Sequence, residues 1–303
     1  MEKYHLQNDV KVFGFQVKNF PDGVGEAFDA LIKMLPPAHT RPFYGISECS
    51  GEGVVYIAAA EETFDGEGKK YGCENYIVEK GEYISAPLVD WTSKTHCIKD
   101  VFEEIVKDKR VDKTQPAIEV YKNMKEMICM VKIDQRKEVQ SEFDTTMEEL
   151  IPLVSSLSNE QLNTIPFQDS WTAGQVAQHL IKANAGFLQL INGPVKETER
   201  APDAMVETFR TELTDYNLKR TSPEAVRPEN KIYIAEELLQ ALEAIKASID
   251  KALQALDLTK TCAVFELPVY GFITRLEGAW FVTYHMQRHI QQLTKIMQKI
   301  GAE

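Results

Sequence analysis

The spacing of apolar residues changes once along this chain, near residue 135, and that change limits what the chain can fold into. Before it, apolar and polar residues alternate over short runs such as DVKVFGFQVKNF, which is typical of β-strands. After it, apolar residues recur every three or four positions over long runs, which is typical of amphipathic helices. Because 303 residues suffice for two domains, we predict an α+β domain over residues 1–135 and an all-α domain over 136–303.

The first half contains an internal repeat. Phe28 matches Phe102, and Pro42 matches Pro116 at the same offset. The pattern predicts two β-α-β-β units, with elements over residues 9–20, 26–35, 41–48, 54–60, 82–91, 100–107, 116–121 and 127–133. Such paired units form one sheet with both helices on one face, which leaves an open face or cleft at the pseudo-two-fold axis.

A candidate ligand site follows from the alternation in the seventh of these elements. Glu119 and Tyr121 share one face of the strand, and Ile118 and Val120 share the other. If Ile118 and Val120 pack on the helices, Glu119 faces the open cleft. Gly45 occupies the equivalent position in the first repeat, so we expect one charged and one vacant wall, suited to a cationic or hydrogen-bonding ligand. The alternative is an exposed strand glutamate.

Five stretches of the first half resemble the GyrI-like small-molecule-binding family, which is related to the effector-binding domains of multidrug-responsive activators: VFGFQVKNFPDGVGEAFDAL, YGISE, AAAEE, YGCENYIVEKGEYISAPLVDW and PAIEVYKNMKEMICMVKI. The resemblance implies a cleft for flat or apolar small molecules with an acidic residue near its floor, at the position of Glu119. Trp91 is a further candidate for the cleft wall, although aromatic residues of small sheets are more often core. In the regulators a helix-turn-helix domain comes first, and the early first strand predicted here leaves no room for one.

The second half predicts a four-helix bundle with one long crossover. The long helices are expected over residues 137–157, 170–191, 235–256 and 276–300, with a short helix near 204–213 in the polar connection 195–231. Ser170-Trp171-Thr172 supplies hydroxyl groups that cap the second helix.

Three histidines of this half form a candidate metal site. His285 and His289 are four residues apart on the last helix, so both rings lie on one side of it. His179 lies on the second helix, near its apolar face. Three imidazoles without a thiolate suit Zn²⁺, Ni²⁺ or Fe²⁺ and leave coordination positions open, which is the catalytic pattern. The alternative is that these are separate packing or surface histidines.

The histidine segments SWTAGQVAQHL and YHMQRHIQQL resemble the DinB family of metal-binding four-helix bundles. The resemblance covers most of residues 139–303 and places the three ligands of the family on His179, His285 and His289. It implies a divalent metal and, in some members, a low-molecular-weight thiol as cosubstrate. The family includes thiol S-transferases, hydrolases and isomerases, and its bundles often pair as homodimers.

Helix geometry suggests three residues that could support the metal site. Gln175 lies one turn before His179, and Gln292 lies three residues after His289, so either amide is placed to accept the second ring N–H of a ligand. Arg288 is a candidate to meet an anionic substrate, although a solvated arginine is the commoner case.

The charge balance and cysteine usage exclude several function classes. The net charge of −12 repels phosphate backbones, so nucleic acid is not an expected partner. No apolar run is long enough to span a bilayer, and the N-terminus lacks a signal peptide. Five cysteines without a C-x-x-C pair fit reduced thiols, so we expect a cytoplasmic protein. The partner that the GyrI-like resemblance implies is a small molecule.

Two functions remain open at this point. In the first, the bundle is a metal-dependent enzyme, a thiol S-transferase or a hydrolase, and it modifies a drug-like compound. In the second, the chain sequesters or senses a small molecule without chemistry. An open metal position beside an ionisable group would favour the enzyme.

Overall fold

The computed structural model describes residues 1–36, 40–50, 53–216, 218 and 221–302. The chain divides into two compact units, Met1–Lys137 and Glu138–Glu303. The first unit is a curled antiparallel sheet with helices, and the second is helical. These observations confirm the predicted fold class.

In its described residues, the first unit contains eight strands and three α-helices. They are, in chain order, β1 (Glu2–Leu6), β2 (Val10–Gln16), α1 (Val24–Met34), β3 (Phe43–Ser50), β4 (Gly53–Glu61), α2 (Glu67–Lys70), β5 (Glu74–Val78), β6 (Gly81–Val89), α3 (Ile98–Ile105), β7 (Ala117–Tyr121) and β8 (Glu126–Lys132).

The sheet order is symmetric about its centre. The strands run β1-β6-β8-β7-β3-β4-β2-β5, and every neighbouring pair is antiparallel. The predicted repeats β2-α1-β3-β4 and β6-α3-β7-β8 therefore meet where β3 pairs with β7. Gly45 and Glu119 are direct partners in that pairing. Equivalent positions of the two repeats thus face each other at the centre of the sheet.

Two strands were not expected from the alternation. β1 starts at Glu2, ahead of the predicted first strand, and β5 pairs with the other side of β2. Both are edge strands in which most residues are exposed or half-buried, so their sequences carry little apolar alternation. Sheet edges are therefore harder to predict than central strands.

The helices cover the opposite face of the sheet from the one expected. Ile105 of α3 packs with Cys129, on the face that also carries Tyr121. Ile118 and Val120 instead join a cluster of strand residues on the other face. The expectation that this pair packs on the helices is wrong. Alternation separates two faces of a strand, but both faces here are apolar, so it does not decide which one the helices cover.

The second unit is built around four long helices. Its elements are α4 (Gln135–Ser155, which begins at the junction), α5 (Asn159–Asn163), α6 (Ala173–Asn192), β9 (Val195–Lys196), α7 (Val206–Leu213), α8 (Ala235–Ala255), β10 (Thr261–Cys262) and α9 (Arg275–Ile300). One apolar core joins the long helices through residues such as Phe143, Leu180, Leu242 and Met286. Within the described ranges, none of the helices has the length and hydropathy required to cross a membrane.

Candidate metal centre and buried carboxylate

Capping boxes fix where the two histidine-bearing helices begin. Thr172 caps α6, and its hydroxyl accepts from the backbone N–H of Gln175 while the Gln175 side chain accepts from the backbone N–H of Thr172. Thr274 caps α9 in the same way with Glu277. The Gln175 amide is thus occupied at the helix start and does not support His179, contrary to expectation.

The three histidines converge through the same ring nitrogen. Nε2 of His285 lies 3.2 Å from Nε2 of His179 and 3.1 Å from Nε2 of His289. One ligand atom from each residue lies within 4.8 Å of the others. The fold therefore brings together the two rings whose spacing places them on one side of α9 and a third ring from α6.

The outer ring nitrogens face oxygen acceptors. Nδ1 of His179 lies 2.8 Å from the carbonyl oxygen of Val226. Nδ1 of His289 lies 2.8 Å from Oε1 of Gln292, the support that its spacing predicts. Because both partners only accept, each Nδ1 carries the proton, and each Nε2 presents a lone pair to the centre. A neutral His285 has one ring proton, so its Nε2–H can donate to Nε2 of His179 or to Nε2 of His289 but not fully to both.

Burial keeps the three rings uncharged. It lowers the pKa of His179. It lowers the pKa of His289 to about 3 and that of His285 well below the usual value. Around neutral pH, therefore, none of the three rings is protonated on both nitrogens. Converging neutral lone pairs are unfavourable unless a cation binds between them.

The nitrogen separations suit a small divalent ion. Two imidazole nitrogens bound to one tetrahedral Zn²⁺ at 2.0–2.1 Å lie about 3.3 Å apart. The observed 3.1 and 3.2 Å separations are close to that value. The donor set is three neutral nitrogens, which fits Zn²⁺, Ni²⁺ or Fe²⁺ and leaves room for an exogenous ligand.

Aromatic rings and the crossover border the centre. Phe281 stacks parallel to His285 with the ring centroids 6.1 Å apart, and the Trp171 ring lies 5.1 Å from that of His179. Arg288 donates to the carbonyl oxygens of Asp215 and Leu218 in the crossover. Its guanidinium is therefore bonded to the protein backbone, so Arg288 is not the solvated arginine of the alternative, and these bonds give it a structural role.

A second cluster lies on the helix-covered face of the sheet. Glu119 is 6% exposed, and one of its oxygens accepts hydrogen bonds from the hydroxyls of Tyr56, at 2.6 Å, and Tyr121. The Trp91 ring packs edge-on against Tyr121 with the centroids 4.7 Å apart. Burial raises the pKa of Glu119, although both tyrosine hydrogen bonds oppose the shift.

Gly45 makes this arrangement possible, because it has no side chain. A Cβ at this position would lie 2.0 Å from the Tyr56 hydroxyl and 2.6 Å from the Glu119 carboxylate. The expected vacant wall is therefore filled by Tyr56, which comes from the neighbouring strand β4. Glu119 is also not the exposed strand glutamate of the alternative interpretation.

Two contributors were not singled out in the sequence. Tyr56 was one aromatic residue among several in the sheet, and only its proximity to Gly45 distinguishes it. Val226 acts through its backbone carbonyl, in the crossover, 47 positions from His179. Backbone acceptors carry no residue-type pattern, so no motif could have indicated it.

Comparison with protein families places half of the chain in one family. A model of the DinB superfamily matches residues 142–293. The uncharacterized protein YuaE of Bacillus subtilis (strain 168) is 24% identical over 152 residues, which are 48% of this chain and 90% of YuaE.

Two solved structures show weaker similarity. YfiT from Bacillus subtilis, described as "a probable metal-dependent hydrolase with an unusual four-helix bundle topology", has 15% identity and a TM-score of 0.35 over 55% of this chain and 87% of YfiT. SAV2435 bound to tetraphenylphosphonium has 11% identity and a TM-score of 0.34 over 44% of this chain and 94% of its own.

Proposed function

Because this chain belongs to the DinB superfamily, we propose that its helical unit is a metal-dependent enzyme in which His179, His285 and His289 hold one divalent ion. The observation that carries the proposal is the convergence of the three Nε2 atoms while two Nδ1 atoms are committed to oxygen acceptors. Hydrogen-bonded supports of this kind orient metal-ligating imidazoles.

The residues around the centre have separable tasks. Val226 and Gln292 hold two rings in the tautomer that directs Nε2 inwards. Phe281 and Trp171 limit the access of water to the rings they contact. When bound, a divalent ion acts as a Lewis acid and lowers the pKa of a water or thiol at its open position. The proposed reactions are therefore transfer of a low-molecular-weight thiol to an electrophile, or hydrolysis.

The test begins with metal analysis of the purified protein. We expect about one equivalent of a divalent metal, lost on chelation and absent from the His285→Ala variant. His5→Ala is the matched control, because His5 lies on edge strand β1 and is 61% exposed. Thiol consumption and ester hydrolysis are then measured with and without chelator. Metal binding without either activity would favour a binding protein, and absence of metal would refute the proposal.

We also propose that the first unit is a GyrI-like module that binds a small organic cation at Glu119. The Glu119 carboxylate is buried, and the two groups that bond it here are uncharged tyrosine hydroxyls. A bound cation would therefore neutralise the buried negative charge. The rings of Tyr56, Tyr121 and Trp91 add apolar and cation–π contact. This function depends on residues of the first unit alone.

Titration calorimetry with tetraphenylphosphonium tests this second function. We expect the Glu119→Gln variant, which keeps the shape and removes the charge, to lose most of the affinity. Glu126→Gln on the adjacent strand β8 is the control, because Glu126 is exposed. Equal affinity of the Glu119→Gln variant and the unmodified protein would exclude Glu119 as the cation-binding group.

A further inference from the structure

One segment of the crossover runs along α6 beside the metal centre, and we call residues 222–233 the strap. Polar side chains of α6 bond its backbone at three successive places. Val226 accepts from His179, and the carbonyl of Arg227 accepts from Nζ of Lys182 at 2.9 Å. The N–H of Glu229 donates to Oε1 of Gln178 at 2.6 Å. The Tyr233 end of the strap is also bonded to Gln178 and to Asn163, and Lys182 lies 3.7 Å from the Glu229 carboxylate. A metal-site histidine is thus one of several groups that hold the strap.

The ties lie along one side of α6. Gly174, Gln178 and Lys182 are spaced four residues apart, and His179 adjoins them. Gly174 provides the room in which the Tyr233 side chain lies against the helix, because a Cβ there would be 2.8 Å from the Cβ and from two ring atoms of Tyr233. The strap therefore packs along one side of α6, and this contact surface includes His179.

Little apolar burial holds the strap in place. Tyr233 is 2% exposed, but the residues at 223–225, 227 and 229–232 are exposed. A segment attached mainly by a few hydrogen bonds opens locally at low free energy. The loss or gain of one tie therefore changes how often the strap is open.

We propose that docking of the strap on α6 is coupled to metal occupancy through the imidazole of His179. The proposal rests on the proposed metal site and adds a regulation of it. Without metal, the ring proton can move to Nε2, which turns a lone pair towards the Val226 carbonyl and breaks that tie. Nδ1 then keeps only the longer contact to the Ser222 hydroxyl, at 3.4 Å. A cation at Nε2 excludes this tautomer and makes Nδ1–H a stronger donor. Metal loading then orders the strap beside the site.

The coupling is reciprocal, because metal and strap bias one two-state element. The factor by which bound metal raises the docking equilibrium of the strap equals the factor by which a docked strap raises the affinity for metal. Exclusion of one tautomer and the gain of a charge-assisted hydrogen bond over a neutral one together give a factor of about five.

Hydrogen exchange measures the first half of this cycle. In the full chain at neutral pH, peptides covering residues 224–233 are followed with and without Zn²⁺ before the core of α8 exchanges, so that only local opening contributes. We expect exchange about fivefold slower with zinc. Unchanged exchange in protein with titrated, bound zinc would overturn the strap proposal and leave the metal site intact.

Zinc affinity measures the other half. Lys182→Met removes the contacts to Arg227 and Glu229 without touching a metal ligand, and Lys251→Met, at an exposed position of α8, is the matched control. We expect Lys182→Met alone to lower zinc affinity, by up to the same fivefold factor, which is reached when the strap is fully undocked. Equal affinities of the two variants would overturn the coupling, whereas failure of the unmodified protein to bind zinc would refute the metal site itself.

Discussion

Removal of His179 offers the most direct test of the metal centre. His285 and His289 share a helix, so their spacing follows from the helix itself. His179 lies on another helix, so only the tertiary structure brings it to the site. The His179→Ala variant keeps two ligands and their spacing, and it removes one Nε2 donor and the donor to Val226. The change thus separates a three-histidine site from a helical pair that binds metal on its own.

The magnitude follows from the number of donors. A four-ligand structural zinc site supplies about 10–16 kcal/mol, so one ligand contributes about 3 kcal/mol. Because about 1.4 kcal/mol is tenfold in affinity, we expect zinc binding to weaken about 100-fold. At a free zinc concentration of 100 Kd, the unmodified protein gains about 2.7 kcal/mol of stability, and the variant gains about 0.4 kcal/mol.

The assay combines competitive zinc titration with urea unfolding at fixed free zinc. The apo forms are compared first, so that the loss of a buried ring is separated from the loss of metal. The His5→Ala variant, which changes an exposed residue of the first unit, should retain the full zinc-dependent stabilisation. If the His179→Ala variant binds and is stabilised by zinc as strongly as the unmodified protein, the three-histidine site is wrong.

Three further predictions concern the supports of the two sites. Gln292→Leu removes the acceptor that orients a metal-ligating ring and should weaken zinc binding about 10- to 100-fold in the same titration; an unchanged Kd would show that this amide does not hold the tautomer. Gly45→Ala should lower the free energy of unfolding in urea by at least about 2 kcal/mol, because it displaces the Tyr56 hydroxyl from its carboxylate, whereas Gly25→Ala, with open space around it, should not. Burial raises the folded-state pKa of Glu119, so its contribution to stability is present below the unfolded value and is lost as pH rises through the folded one. The Glu119→Gln variant should therefore gain stability relative to the unmodified protein as the pH rises above the ordinary glutamate value of 4.5, and a difference that stays constant with pH would contradict the assigned shift.

The sequence alone determined the local features of both units. Apolar periodicity indicated the central strands and all four long helices, because the period of burial is set by the backbone geometry of each element. The i,i+4 spacing placed His285 and His289 on one side of α9, and the same spacing logic gave the support from Gln292. Repeat spacing also put Gly45 and Glu119 at equivalent positions.

The tertiary structure decided which of these residues meet. Alternation could not say that the helices cover the Glu119 face, and it could not show that Tyr56 fills the space beside Gly45. The crossover brings the Val226 carbonyl to His179, although nothing in the chain near either residue indicates the contact. Local patterns follow from neighbouring backbone geometry, whereas these contacts join segments that only the packing of the whole unit brings together.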